Sequence, residues 1–107
     1  QQIIAMTLEH YPGMTEKELA SIEGEARERW PLEDVVIIHR IGRLVPGDQI
    51  VLVLTASAHR KAAIEAAEFL IDWLKTKAPF WKSEEAAGET RWVAARASDD
   101  EAAAKWD

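Results

Sequence analysis

Cysteine is missing from the 107 residues, and its absence excludes disulfides, thiolate metal sites and any thiol or persulfide nucleophile. A chain of this composition that handles sulfur must receive it from another molecule. Imidazoles are scarce too: only His10, His39 and His59 occur, and none of their spacings forms a helical metal pair such as H-E-x-x-H. Neither a metal nor a cofactor is expected. No apolar run approaches the roughly 20 residues that span a bilayer, and no basic-then-apolar leader stands before the first expected strand. The expectation is a soluble, cytoplasmic chain. Positive charge is in the minority, 13 Lys and Arg against 19 Asp and Glu, for a net charge of -6 and a pI near 5.1, which argues against a general nucleic-acid binder.

What remains is enough for one core and one domain, because 48% of the residues are hydrophobic and the length is that of a single unit. The order of elements reads as α+β. Ile3 to His10 alternates and is rich in β-branched and apolar residues, so a strand is expected there, closed by Pro12-Gly13. Thr15 and Glu18 have capping-box spacing, and Leu19, Ile22, Ala26 and Trp30 fall on one apolar face of a first helix that ends before Pro31. Val35–Ile41 and Ile50–Thr55 read as two antiparallel strands of a hairpin turning through Pro46-Gly47-Asp48. A second helix is expected from an N-cap at Ser57 to about Lys77, stopped by Ala78-Pro79, with Ala63, Ala66, Ala67, Leu70 and Leu74 on its packing face. Phe80–Lys82 and Arg91–Ala95 read as short strands around a polar loop, Ser83–Thr90, and Asp99 as the cap of a short C-terminal helix reaching Trp106. The five tryptophans read chiefly as core or interface residues. No repeat, linker or low-complexity stretch interrupts this order.

Charge is distributed unevenly along that order. Residues 59–82 carry Arg60, Lys61, Lys75, Lys77 and Lys82 against Glu65, Glu68 and Asp72, a local +2 in an acidic chain. Ordinary solvated lysines on an amphipathic helix account for any one of these residues. Their order points to an anion. His59 and Arg60 open the helix, where free N–H groups and the positive dipole end favour phosphate; Lys75 and Lys82 bracket the Pro79 turn, where two ammonium groups can face one cleft.

The same stretch carries a family pattern. AHR, a helix, LKT-x-APFWK and G-x-x-RWV, with TLEHYPGMTEKEL, RWPL and IHRIG-x-L-x-PGD-x-I upstream, resemble the large, catalytic subunit of molybdopterin synthase, the MoaE family, over essentially the whole chain. The family's N-terminal segment, with its FTG-x-VR-like arginine, has no match here. The expectation is therefore a single family domain over residues 1–107, an ordered part of a longer polypeptide, without that segment.

The resemblance implies an α/β-hammerhead-like fold and a defined reaction. Its substrate is cyclic pyranopterin monophosphate, its sulfur donor is a small ubiquitin-like subunit ending in a thiocarboxylated glycine, and its product is the molybdopterin dithiolene. It assigns Lys75 and Lys82 to catalysis, and His59, Arg60, Lys75, Lys82, Ser83, Glu84 and Arg96 to substrate binding. Arg60 lies fifteen residues from Lys75, so at ~1.5 Å per residue the two helix ends stand roughly 22 Å apart. If both belong to one site, as the resemblance implies, the most economical arrangement has two copies share it: a homodimer within a heterotetramer. Two other readings stay open: a noncatalytic module that binds a ubiquitin-like C-terminal tail, and a phosphoryl-ligand domain unrelated to sulfur.

Overall fold

A computed structural model describes residues 3–10, 13–77, 80–86, 89–92, 104 and 106. Every strand pairing among these residues is antiparallel, and the strands β1 (Ala5–His10), β2 (Asp34–His39), β3 (Gly42–Leu44), β4 (Val51–Ala56), β5 (Phe80–Ala86) and β6 (Glu89–Trp92) form two sheets, with order β3-β1-β5-β6 in one and β2-β4 in the other. The α+β expectation holds, with the sheet divided in two.

Strand β1 (Ala5–His10) follows the alternation of its sequence and buries Ala5 and Leu8. Gly13 turns the chain into helix α1 (Met14–Arg29) with φ of 84°, a conformation in which a side chain would be strained. The expected capping box does not form. Thr15 lies inside the first turn and is buried, and its hydroxyl is hydrogen-bonded to His10 Nδ1 at 3.0 Å. A tertiary partner has taken the oxygen that a local cap would have used. Ile22 and Ala26 bury the inner face, and the helix ends as expected, Trp30 being extended just before Pro31.

Strands β2 (Asp34–His39) and β4 (Val51–Ala56) pair along their full length, from Asp34 opposite Ala56 to His39 opposite Val51. Their connection is more than a turn. Gly42, at φ 89°, lets β3 (Gly42–Leu44) leave for the other sheet, where it pairs with β1. The chain then reverses through Val45-Pro46-Gly47-Asp48, with Gly47 at φ 94° and Asp48 Oδ2 accepting the Val45 N–H at 3.0 Å.

Helix α2 (Arg60–Thr76) begins later than expected. Ser57 is not its N-cap; its hydroxyl accepts the His59 N–H at 3.1 Å and donates to the Pro31 carbonyl at 2.7 Å, tying the entrance of α2 to the exit of α1. The buried face runs through Ala62, Ala66, Phe69, Leu70 and Leu74, while Ala63 and Ala67 are only half-buried. Phe69 and Leu70 meet Ile22, Ala26 and Val35 in the core, with Trp30, Ile37, Val53, Trp73 and Trp106 packed around them. Trp106 is held in place by polar contacts as well: its indole N–H donates to the buried Asp72 carboxylate at 2.5 Å, and its carbonyl accepts from Arg29 at 3.0 Å.

Strands β5 (Phe80–Ala86) and β6 (Glu89–Trp92) form a hairpin where a polar loop was expected. Ser83 and Glu84 are strand residues because β1 pairs with β5 from His10 opposite Phe80 to Ala5 opposite Glu85, and the small Ser83 and Ala86 are buried. Beyond Trp92, the expected strand residues up to Ala95 and the helix capped by Asp99 lie outside the described residues, apart from isolated positions near Trp106.

Candidate functional site

Helix α2 separates the candidate residues into two groups. At its start, His59 is the extended N-cap residue with φ -118° and ψ 122°, Arg60 is the first helical residue, and both are exposed. No side chain caps this end, and no acidic residue occupies the first turn. The positive dipole end is left facing outward beside a guanidinium, which suits a phosphate-like anion. Arg60 lines a shallow depression there with Lys61, Ile64 and Glu65.

At the other end, Lys75 is exposed in the last turn, where the negative dipole end favours a cation. The helix closes with the Lys77 N–H donating to the Trp73 carbonyl at 2.8 Å. The unbroken helix keeps Lys75 away from Arg60, and fifteen steps at ~1.5 Å put roughly 22 Å between their backbones. One small ligand does not reach both within a single chain.

After the connection at 77–79, β5 presents Phe80, Lys82 and Glu84 on one face, by the two-residue period of a strand. All three are half-buried. In register they stand opposite His10, Leu8 and Met6 of β1. Ser83 points the other way and is buried, and Glu85 on that same opposite face pairs with Arg43 at 3.1 Å. The structure thus brings Lys82 and Glu84 to one surface, sets Lys75 at the helix end leading toward it, and turns Ser83 away from it. Arg96 lies outside the described residues.

Sequence reasoning overlooked an aromatic contact at this corner. The imidazole of His39 stacks on Phe80 with ring centroids 4.1 Å apart and planes inclined by 14°, and His10 approaches the same ring at 6.2 Å. His39 Nδ1 donates to the Arg40 carbonyl at 2.7 Å. Burial lowers the pKa of His39 below the usual imidazole value of 6.5, against the opposing pull of that hydrogen bond. Two of the motifs quoted above, H-R-I-G and P-F-W-K, held the signal; only their spatial meeting was hidden.

Among the described residues, no group of three or more His, Asp or Glu is placed to hold a metal ion, and no helix is long and apolar enough to cross a membrane.

Comparison with known proteins fits this geometry. The family profile described as MoaE protein matches residues 1–77. The molybdopterin synthase catalytic subunit of Escherichia coli K12 is 62% identical over 102 residues, covering 95% of this chain and 68% of the relative. Among solved structures, the molybdopterin biosynthesis MoaE protein of Burkholderia ambifaria superposes with a TM-score of 0.82 at 57% identity, covering 97% of this chain and 71% of that one. Molybdopterin synthase from Staphylococcus aureus superposes with a TM-score of 0.81 at 38% identity, covering 86% of this chain and 67% of that one. With a profile match over most of its length and relatives this similar, the chain belongs to the MoaE family.

Proposed function

We propose that this chain is the catalytic subunit of a molybdopterin synthase, a sulfurtransferase. It moves sulfur from the thiocarboxylated C-terminal glycine of a small ubiquitin-like subunit to cyclic pyranopterin monophosphate, forming the molybdopterin dithiolene. One observation supports the chemistry: Lys75 in the last turn of α2 and Lys82 in β5 lie on either side of the three-residue connection 77–79, while an anion-suited helix start lies at the far end of α2. The lack of cysteine agrees with a sulfur that arrives on the partner.

In this reading the donor tail enters the corner between α2 and β5. The thiocarboxylate sulfur bonds to a substrate carbon, and water then takes the glycine acyl group, leaving the tail as a carboxylate and the sulfur on the substrate; two donors supply the two sulfurs. Lys75 stabilises the thiocarboxylate and the negative charge that develops on the acyl oxygen; Lys82 holds the substrate and the tail. Glu84 and Arg96 are further polar contacts, and His59 with Arg60 takes the phosphate. Ser83, aimed at the opposite face, contributes backbone rather than hydroxyl. Because phosphate end and sulfur end lie at opposite termini of one helix, the site is shared by two copies in a homodimer, with one donor subunit at each outer end. The outer face of the β2–β4 sheet supports such pairing, since Ile38 opposite Leu52, and Val36 opposite Leu54, leave an apolar strip in which Ile38 is 55% and Leu52 51% exposed.

The test is a single-turnover assay with pre-thiocarboxylated partner, reading product by its fluorescence after oxidation. Product formation is expected. Binding of the donor tail without product would instead make the chain a noncatalytic tail-binding module.

A further inference from the structure

We infer that His39 is a positioning residue for the sulfur-transfer corner: its ring, stacked on Phe80, sets the start of β5 and thereby the placement of Lys82. The inference rests on the function proposed above and adds to it a residue remote in sequence from every candidate.

The geometry supplies a chain of fixed contacts. The Arg40 N–H donates to the Ile50 carbonyl at 2.8 Å and its guanidinium to the Gln49 carbonyl at 3.1 Å, so Arg40 is anchored across the ribbon. Its own carbonyl accepts His39 Nδ1–H at 2.7 Å, which fixes the imidazole's tautomer and orientation when the ring is neutral. That ring lies 4.1 Å from Phe80 at 14°, a stacked contact between the two sheets. Within its own sheet, Phe80 stands opposite His10 of β1, whose Nδ1 is hydrogen-bonded to the buried Thr15 at 3.0 Å. Phe80 thus meets two imidazoles, His39 stacked at 4.1 Å and His10 tilted at 6.2 Å, each anchored by a hydrogen bond.

Phe80 is the first residue of β5, and Lys82 lies two residues on, on the same face, about 7 Å along the strand. The strand leaves directly from the connection that follows the helix carrying Lys75. A tilt at Phe80 is therefore transmitted to the Lys82 ammonium relative to Lys75, and catalysis by positioned charge is sensitive to displacements of this size. Three features of the imidazole can be separated: its flat face, its Nδ1–H donor and its proton. The stack on Phe80 needs only the first.

The experiment compares His39→Phe, which keeps a flat ring and loses the donor, with His39→Gln, which keeps a donor and loses the ring. Both are assayed in the assembled complex with pre-thiocarboxylated partner. His39→Gln is expected to lower kcat about tenfold or more, with donor affinity and KM changed less than about threefold. His39→Phe is expected to stay within about threefold of the parent protein. Equal activity of His39→Gln and parent, or a Phe variant as impaired as the Gln variant, overturns the inference. A general loss of stability would weaken substrate and donor binding along with turnover, which the KM and affinity readings detect. Proton NMR reads the contact independently of activity: the His39 ring protons are expected upfield in the parent and near ordinary positions in Phe80→Leu. An unchanged spectrum overturns the inference, whereas a parent protein with the stack but no product overturns the sulfur-transfer reading instead.

Discussion

At the scale of single residues, the two ends of α2 make separable predictions. Lys75 stands in the last turn of α2, at the negative end of the helix dipole, and the proposed donor tail enters beside it. Lys75→Ala is expected to abolish dithiolene formation while leaving the fold and the donor complex intact; Lys82→Ala is expected to reduce turnover less completely. Circular dichroism and co-elution with the partner check the first half, and the single-turnover assay checks the second. Arg60 faces solvent at the other end, so Arg60→Ala is expected to weaken substrate binding roughly ten- to a hundredfold and partner binding far less. Calorimetric titration with each ligand separates the two. Equal losses would mean that phosphate and tail are not divided between helix ends.

At the scale of elements, burial and proton linkage give two further expectations. Leu70 is fully buried where α2 meets the core, and Leu70→Ala is expected to cost about 2–5 kcal/mol in denaturant unfolding. His39 has a pKa lowered by burial, so the unfolded chain binds its proton more readily than the folded one. The stabilisation that this implies is present above the ordinary imidazole pKa of 6.5 and is lost as pH falls below 6.5 and through the lowered folded-state value. In melts across that range, His39→Phe is expected to show a flatter pH dependence than the parent.

The elements that were legible in the sequence are those whose pattern is local. The Pro31 stop of α1, the strand alternation before His10 and the C-terminal end of α2 needed only neighbouring residues to be read. Long-range pairing was not readable. Ser83 and Glu84 looked like a solvated loop because S-E-E is polar, yet six consecutive partners in β1 hold that stretch as a strand. Thr15 had the spacing of a cap and was claimed by His10, and the departure of β3 to another sheet follows from Gly42, whose meaning depends on where β1 lies. At the candidate site, residue types and order were enough to single out Lys75, Lys82 and Arg60 as candidates, whereas the stack of His39 on Phe80 joins positions 41 residues apart and leaves no periodic trace.

At the scale of the whole molecule, the account depends on two copies sharing each site. A continuous 17-residue helix stands between Arg60 and Lys75, and an apolar strip on the β2–β4 sheet is available to cover. A dimer with one donor subunit at each outer end is expected by light scattering, and a one-to-one heterodimer at working concentration would contradict it. The sharpest test mixes two impaired variants at a substrate concentration too low to fill the Arg60→Ala site, so that neither forms product alone. If one copy supplies Arg60 and its partner supplies Lys75, a mixed dimer of Arg60→Ala and Lys75→Ala contains one site with both residues intact. Random reassortment of equal amounts then restores about a quarter of the parent's sites. Recovery of product near that level in the single-turnover assay is the predicted result; if both residues served within one chain, every site would carry a lesion and mixing would restore nothing.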